Sequence, residues 1–503
     1  MTFDQMMRRI NAAKANKQAW QSMHEECYKY FLPQKNIYNK STPGEQKDIE
    51  VTDSTAENAL ADYASRMEAQ LVPPGREWMK LQAGVEVPEG EQDEVSQKLE
   101  EISNTLFNHI NSSNFSSQIN EAFLDLGIST GALIIEEGDG IQSALRFRAV
   151  PLKELILERS IKGIVETVWR EFKVPAGDIP SVFPRIKVPE DMQRDIDEKP
   201  DVEWELIEGV VLNQDQKTYT NIVISPKHKE YLYEVQEDSS PWVIFRESTT
   251  AGEVYGRGRA FRCLNDTKTL NRLMSDYLSA VEIWSNPTYL AEDDGVINPH
   301  TSTFKPRTIN VVGSVNSVAT LPASGSPEIA MDLIGKLQDN IRRTMLSKPF
   351  GNIEETPVRT ATEMSIRNAD LAETSMSASG RIQTELLERI IARCVFILGN
   401  LGQLPKFKVD GKESAIKYLS PSAQSQDEQD LAAVLRFMDT MQVLPPDLLF
   451  TTVKVDAIPK FIAEKLGVSK SIILTEAEQV QKKNELQQEI AAQQQAEAQQ
   501  GAK

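Results

Sequence analysis

The residues with the clearest chemical possibility are two glycines in the stretch Tyr255–Arg259, which reads Tyr-Gly-Arg-Gly-Arg. A glycine pair just before a helix is typical of a phosphate-binding loop, because free backbone N–H groups at a helix start attract anions. The dinucleotide-binding fingerprint needs a third glycine three residues after Gly258, and Phe261 occupies that position. The stretch is therefore interpreted as part of a helix-loop-helix building element and not as a nucleotide site.

Other motifs for nucleotides, metals and nucleophiles are missing from the sequence. Neither Gly335-Lys336 nor Gly411-Lys412 has the earlier glycine that a P-loop requires, and no Gly-x-Ser-x-Gly elbow occurs. The four histidines show no paired-ligand spacing. Two acidic clusters, Glu136-Glu137-Asp139 and Glu292-Asp293-Asp294, fall at predicted turns and are interpreted as solvated. We therefore expect no catalytic residue, no metal site and no cofactor.

Composition indicates a soluble globular protein of two or three domains, since 40% of the 503 residues are hydrophobic and 26% are charged. The formal net charge of −19 argues against a general DNA-binding surface, because such surfaces place Lys and Arg against phosphates. It is compatible with a protein that lets DNA pass without binding it. Three widely spaced cysteines, no apolar signal core and no long apolar run predict a cytoplasmic protein without a membrane span.

The first part of the chain has helical periodicity. Ser54-Thr55-Ala56-Glu57 has the form of a capping box, and Pro73-Pro74-Gly75 ends the helix that follows it. From Ala132 the period changes to two, and Gly138-Asp139-Gly140 predicts a hairpin turn. Further strands are predicted up to Phe245, interrupted by a charged, proline-bearing stretch from 175 to 200 that is interpreted as a surface insertion.

Two helices with apolar stripes follow, and a segment of roughly 40 residues, far longer than common connections, separates them. Their stripes are expected to be core positions. The first stripe runs from Leu264 to Trp284, and the second comprises Ile329, Leu333, Leu337, Ile341 and Met345. Proline and glycine predict a loop at 348–360. A second capping box at Thr360 predicts a long helix to Leu398 with a bend near Gly380, and a third at Thr475 starts a Gln-rich end.

Three motifs, in this order and spacing, resemble the portal, or head-to-tail connector, proteins of short-tailed bacteriophages. Any one of them is weak evidence, but three in order are specific, and they extend over residues 53 to 363. Arg259 departs from the pattern, since many relatives have proline there. The motifs are Asp53-Ser54-Thr55-Ala56 leading to Leu71-Val72-Pro73-Pro74-Gly75-Arg76-Glu77-Trp78; Tyr255-Gly256-Arg257-Gly258 with Leu264-Asn265-Asp266 and Thr269-Leu270-Asn271; and Arg359-Thr360-Ala361-Thr362-Glu363.

The resemblance implies an α+β portal fold and a ring of about twelve subunits around a DNA channel. It also implies the domain boundaries. Residues 1–258 are the wing, with a helical start and a β-rich part; 259–286 are the first stem helix; 287–327 the clip; 328–347 the second stem helix; 348–360 the channel loop; 361–420 the long wing helix and its return; and 421–503 a helical crown with the Gln-rich tail.

On this reading the protein is a virion component at one capsid vertex, assembled in the host cytoplasm. Its partners are its own copies, a terminase motor, tail or adaptor proteins, the major capsid and scaffolding proteins, and double-stranded DNA bound without sequence specificity. Lys348, Asn352 and Arg359 are the expected channel-loop residues. Tyr289, Lys305 and Arg307 are the expected clip residues for terminase and tail docking.

Two alternatives remain open from the residues alone. A scaffold or adaptor of another oligomeric type would share the helix pair without forming a closed ring. An enzyme whose carboxylates are brought together only by the fold leaves no local signature, and it would show turnover and a discrete pocket.

Overall fold

The computed structural model describes most of the chain in separate stretches. They are residues 2–35, 38, 50–84, 86–88, 92–138, 140, 143–158, 163–213, 218–285, 289–291, 318–320, 327–347, 379–405, 414–418, 421–441, 458–466 and 482.

These stretches contain both helices and antiparallel strands, with several strands following one another directly, which confirms the α+β class. The helices are α1 (Phe3–Phe31), α2 (Thr55–Leu71), α3 (Gln92–Ser112), α4 (Phe115–Ile128), α5 (Ile179–Val182), α6 (Glu190–Glu198), α7 (Arg259–Ser285), α8 (Pro327–Thr344), α9 (Ser379–Ile382), α10 (Glu388–Asn400), α11 (Pro421–Met441) and α12 (Ile458–Lys465). The strands are β1 (Met79–Ala83), β2 (Thr130–Glu137), β3 (Leu145–Ala149), β4 (Leu155–Leu157), β5 (Val168–Pro175), β6 (Glu203–Asn213), β7 (Thr218–Ser225), β8 (Glu230–Glu237), β9 (Trp242–Arg246), β10 (Tyr289–Ala291), β11 (Val318–Thr320) and β12 (Ser414–Tyr418).

The chain divides into two compact units. The first comprises Met1–Trp20, Tyr63–Gly258 and Pro349–Lys503, and the second comprises Gln21–Asp62 and Arg259–Lys348. In its described residues the first unit contains three sheets, in the strand orders β4-β5-β6-β7-β8, β3-β2-β9 and β1-β12, and every neighbouring pair is antiparallel. The second unit contains the pair β10-β11.

The hairpin predicted around Gly138 is confirmed. β2 and β3 pair in register from Leu133 opposite Ala149 to Glu137 opposite Leu145. Leu145 and Phe147 of β3 are buried at every second position, as a two-residue period predicts, whereas the first six residues of β2 are all buried, with α4 and β9 in contact with it. The predicted strands up to Phe245 are also present, although the chain enters β5 only at Val168.

A hydrophobic cluster covers part of each face of the five-stranded sheet. On one face the N-terminal half of α1 packs Met6 and Ile10 against Trp169 and Ile222. Trp169 takes the place where a side chain at Gly209 would stand, so β6 must have glycine there. Burial of large apolar side chains stabilises this packing by about 1.5–3 kcal/mol each.

The interpretation of residues 175–200 as a surface insertion is wrong. The segment forms a 3-10 turn followed by α5 and α6, and buried Ile179 and Met192 pack with Trp204 on the other face of the five-stranded sheet. The many charged residues of the segment favoured a surface insertion. However, α6 needs only a few apolar positions to pack on the sheet, and its acidic residues lie on the outer side.

In the second unit α7 and α8 run antiparallel. Arg259 at the start of α7 donates to the Thr344 carbonyl at the end of α8 at 3.2 Å, and Asn340 donates to the Asp266 carboxylate at 2.5 Å. Both predicted helices are therefore present, with ends at Ser285 and Thr344.

The predicted core stripes are only half correct. Leu264 and Leu270 on α7, and Ile341 and Met345 at the end of α8, are buried. Farther along the pair, on residues 272–282 and 328–333, the side chains are half-buried or exposed. Among the described residues, the contacts between the pair and residues 21–62 lie toward the buried end, where Asn271 accepts from Thr52 and Asp53 and Lys268 pairs with Glu26.

The start of α2 differs from the predicted capping box in its detail. The Asp53 carboxylate accepts the backbone N–H of Thr55 at 2.8 Å, so an aspartate two residues before Thr55 satisfies a free donor of the first turn. The capping boxes at Thr360 and Thr475 lie outside the described residues.

The long helix predicted from Ala361 to Leu398 is described from Ser379 onward. There α9 and α10 are joined by a π-helical turn, Gln383–Leu387, and the backbone is helical on both sides of it. The structure thus has a widened turn three residues beyond Gly380, where the sequence predicted a bend.

Candidate functional site

The glycine-rich stretch Tyr255–Gly258, here called the junction, lies against the turn between α4 and β2. The Gly256 N–H donates to Thr130 Oγ1 at 2.9 Å, and Ser129 Oγ donates to the Gly256 carbonyl at 2.8 Å. The Gly258 N–H donates to the Ile128 carbonyl at 3.2 Å. The backbone donors that a phosphate would need are already satisfied by the protein, which agrees with the interpretation that this is not a nucleotide site.

Both glycines are required by this close approach. A Cβ added at Gly256 would lie less than 3.0 Å from the Ser129 carbonyl oxygen, and one added at Gly258 would lie 2.5 Å from the Ile128 carbonyl carbon. These neighbours are backbone atoms, which cannot move aside without distorting the α4–β2 turn. The glycine spacing therefore reflects packing of one chain segment on another.

The other two residues of the junction fix it from the sides. Buried Tyr255 uses its hydroxyl to bridge the Leu155 carbonyl and the Leu157 N–H, each at 3.2 Å, and burial raises the pKa of this phenol. Arg257 forms two hydrogen bonds with Glu253, at 2.8 and 2.5 Å, and these bonds hold the pKa of that carboxyl below its usual range. The junction is thus held to the first unit by hydrogen bonds from each of its four residues.

A second network joins two of the sequence motifs. Asn271 on α7 accepts the backbone N–H groups of Thr52 and Asp53 at 3.1 and 3.2 Å, and it donates to the Thr267 carbonyl at 3.0 Å. The other oxygen of Asp53 accepts from Gln338 on α8 at 2.8 Å. Asp53 and Asn271 therefore tie the entry to α2 to both long helices. A polar residue inside an apolar stripe was the signal in the sequence that could have revealed this contact.

The most unusual surface is an apolar one at the less packed end of α7 and α8. Leu278 on α7 is 52% exposed, and on α8 Ile329, Met331 and Leu333 are 72%, 51% and 44% exposed. We call these four residues the open stem face. Ile334 on the same helix is buried. Ile329 and Leu333, four residues apart, share one side of α8, and Met331, two residues from each, lies on another side. Clustered exposed apolar residues of this kind mark interaction surfaces.

Most of the predicted site residues cannot be placed. Lys348, Asn352, Arg359, Lys305 and Arg307 lie outside the described residues. Tyr289 begins β10 and stands opposite Thr320 of β11 in an antiparallel pair. Each strand of that pair has three residues, and the described part of the chain adds no third strand to it.

The described stretches contain no arrangement that fits a metal site or a membrane span. No group of three or more His, Cys, Asp or Glu side chains is arranged to hold a metal ion there. Within that part of the chain no helix is both long and apolar enough to cross a membrane. Of the two acidic clusters, 292–294 is outside the described residues. In the other, Glu136 is not a free turn residue, because it pairs with Arg148 on the neighbouring strand at 3.0 Å.

Comparison with known proteins identifies the class. The family model for the bacteriophage head to tail connecting protein matches residues 4–474. The chain therefore belongs to this family, which confirms the resemblance found in the sequence motifs. The portal protein of Enterobacteria phage T3 is 21% identical over 494 residues, which cover 93% of this chain and 87% of that protein.

Proposed function

We propose that this chain is a phage portal protein: about twelve copies form a ring at one capsid vertex, through which the genome is packaged and ejected. The observation that carries the proposal is the open stem face. A chain belonging to the head-to-tail connecting family has a paired-helix element whose apolar side chains its own unit leaves exposed.

Another copy of the same chain is the expected occupant of the open stem face. In a closed ring each subunit offers two different surfaces, and one subunit's surface is covered by the other surface of its neighbour. Removal of apolar area from water contributes about 25 cal/mol per Å², so four large side chains repeated at every interface supply a substantial driving force. The helix pair would then be the stem of the ring.

The remaining segments take their roles from this assignment. Residues 1–258 and 361–420 form the wing, 287–327 the clip, and 421–503 the crown. The clip would dock the terminase motor during packaging and tail proteins afterwards, with Tyr289, Lys305 and Arg307 as contact residues. The short β10–β11 pair suits this role, because each strand has an edge to which a neighbouring subunit or partner can add a strand.

The channel is proposed to hold DNA weakly. A net charge of −19 repels the phosphate backbone, so the genome slides and does not adhere to the wall. The loop at 348–360, with Lys348, Asn352 and Arg359, would make the few phosphate contacts. Capsid and scaffolding proteins would contact the wing, and the mature protein would be part of the virion.

The test of ring formation is imaging of the purified protein by negative-stain electron microscopy, with mass measured by light scattering. We expect closed particles with a central hole. The variant Leu278→Glu combined with Ile329→Glu should give monomers or open fragments, because it puts charges in the proposed interface. A matched control is Val182→Glu, which adds a charge at an apolar residue of α5 that is 38% exposed, and which should leave the rings intact.

Three outcomes would count against the proposal: a wild-type protein that stays monomeric at micromolar concentration, rings that survive the double substitution, or open chains of indefinite length. The last would favour the adaptor or scaffold alternative. The family match does not support the alternative that the chain is an enzyme. A measured turnover of substrate would be needed to reconsider that alternative.

A further inference from the structure

The π-helical turn Gln383–Leu387 stands out because it interrupts a helix that is regular on both sides. Ile382 has φ −64° and ψ −37°, and Glu388 has φ −58° and ψ −42°, so the widened turn is not caused by a break in the helix. A π turn accommodates one extra residue relative to the α-helix, and isolated π turns occur often at functional sites.

A buried ion pair lies within this turn. Glu385 accepts two hydrogen bonds from Arg246 at the end of β9, at 2.6 and 3.2 Å, and both side chains are buried. The same guanidinium donates to the carbonyls of Val254 at 3.0 Å and Gly163 at 2.9 Å. Because these carbonyls fix Arg246, the position of Glu385 is fixed with it.

The C-terminal side of the turn is held firmly. On α10, buried Arg393 donates to the carbonyls of Ile135 and Ser239, at 3.3 and 2.9 Å, and pairs with Glu237 at 2.6 Å. Ile390, Ile391 and Cys394 are buried on the same helix. A rearrangement of the π turn would therefore leave α10 where it is.

On the N-terminal side, the described residues 379–382 are held less firmly. Gly380 and Arg381 on α9 are exposed, and a Cβ added at Gly380 would meet no atom within 4 Å. Arg381 contacts the Thr249 hydroxyl, an exposed pair, and Ile382 is the one buried residue among 380–382. If the turn rearranges, α9 is the part that must move.

We propose that the π turn is a two-state joint, and that the Arg246–Glu385 pair holds it in the π form. When the pair is released, the turn can close to an ordinary α-helix. Residues Ser379–Ile382 would then rotate by about 100° and shift by about 1.5 Å relative to α10, since that is the step of one residue in an α-helix. Glu385 would turn away from Arg246, so the pair and the α form exclude each other.

The joint gives the chain a way to change the direction of one helix segment without unfolding its neighbours. A load or a ligand acting on α9 would shift the balance between the two forms if it favours one of them. The inference concerns the conformation of a single chain, and it stands whether or not the copies form a ring.

The experiment measures the distance between spin labels placed by Thr249→Cys and Arg381→Cys in the full chain. The native cysteines Cys27, Cys263 and Cys394 are buried, so the label reacts at the exposed positions. Labelled protein is mixed with an excess of unlabelled chains, so that distances between copies do not contribute. With the Arg246–Glu385 ion pair intact, we expect one short and narrow distribution of distances between the two labels.

The decisive variant is Glu385→Gln, which keeps the shape of the side chain and removes its charge. It should produce a second population at a different distance, corresponding to the rotated α9. Its matched control is the same substitution in a chain from which exposed Thr384 is deleted. That deletion removes the extra residue, so the helix is already α-helical, no rotation remains to occur, and the distribution should stay single.

Two results would overturn the proposal. One is a single unchanged distance in Glu385→Gln, which would mean that the π turn does not depend on the pair. The other is equal broadening with and without Thr384, which would mean that the substitution merely loosens the helix end. If Glu385→Gln does not fold, Glu385→Asp replaces it, because the shorter side chain cannot keep both hydrogen bonds to Arg246.

Discussion

The junction at Tyr255–Gly258 and the open stem face differ in how far their own chain satisfies them. At the junction, the Gly256 N–H and carbonyl and the Gly258 N–H each have a partner within the first unit, and the glycines allow backbone to touch backbone. On the open stem face, Leu278 and Ile329 carry large apolar side chains that their own unit leaves exposed. The first region is complete in one chain, and the second is expected to be completed by another copy.

The difference shows what sequence motifs of this kind encode. A glycine pair before a helix has two readings, a ligand cradle or close packing, and the state of its N–H groups decides between them. An apolar helical stripe also has two readings, a core or an interface between copies, and the exposure of its residues decides. In both places the contacts distinguish readings that residue types alone leave open.

The largest effect is expected at the junction. Gly258→Val should destabilise the chain by at least about 3 kcal/mol or prevent folding, because its Cβ would lie 2.5 Å from the Ile128 carbonyl carbon. Thermal unfolding followed by circular dichroism measures this. Gly335→Ala on α8 is the control: a Cβ there meets nothing within 4 Å, and the helix should gain up to about 1 kcal/mol. Equal behaviour of the two variants would contradict the packing role of Gly258.

Much of the fold was predictable from the sequence, because helices, strands and turns leave patterns in residues that are close together in the chain. The hairpin at β2–β3, the strands up to Phe245 and the two long helices follow from periods of two and about 3.6 combined with turn residues. The segment 175–200 was misinterpreted because its attachment to the five-stranded sheet depends on a few apolar residues within a charged stretch. A contact between distant segments, such as Asp53 with Asn271, has no periodic signature.

The second prediction compares buried and exposed positions on α8. Ile341→Ala should cost about 2–5 kcal/mol, since Ile341 is fully buried and its truncation leaves a cavity. Ile329→Ala should change the stability of the unassembled chain by less than about 0.5 kcal/mol. Denaturant unfolding of dilute, unassembled protein gives both values. A large cost at Ile329 under those conditions would mean that its own chain covers it, and the comparison would fail.

The candidate site was less predictable than the fold. Three sequence motifs predicted the family. The helical periodicity of the apolar stripes on α7 and α8, however, predicted core positions along their whole length. Burial is set by what surrounds a helix, and a stripe facing a neighbouring copy has the same periodicity as one facing its own core. The Arg246–Glu385 pair was missed for a related reason, because its two residues are 139 positions apart in the chain.

The third prediction concerns Asn271. Asn271→Ala should cost about 1–3 kcal/mol, because the buried backbone N–H of Asp53 loses its acceptor. Asn340→Ala removes a hydrogen bond to Asp266 that is exposed to water and should cost less than about 1 kcal/mol. Thermal melts of the two variants measured side by side give the difference. If both substitutions cost the same, the Asp53–Asn271 network does not stabilise the entry to α2.

The smallest effect tests whether the first unit contains an unfavourable charge. Burial of Lys17 on α1 lowers its pKa to about 8, despite the opposing attraction of Glu171 and Glu154. The folded state therefore resists protonation of Lys17 more than the unfolded state does. The resulting destabilisation is fully present below pH 8 and disappears as the pH rises toward the unfolded pKa of about 10.5.

Lys17→Met should accordingly be more stable than the native chain at pH 7, by about 1–2 kcal/mol after allowance for partial exposure to solvent, and this advantage should shrink by pH 10. The measurement is the free energy of unfolding in urea for both proteins at pH 7 and pH 10. Lys336→Met, at an exposed residue of α8 that pairs with Asp332, removes the same type of charge from a solvated position, and its difference from the native chain should not decrease over that pH range. Because alkaline pH affects all three proteins, only the differences between them are compared. A Lys17→Met advantage that is constant from pH 7 to pH 10 would mean that burial of the charge is not its cause, and that the gain comes from the apolar contacts of methionine instead.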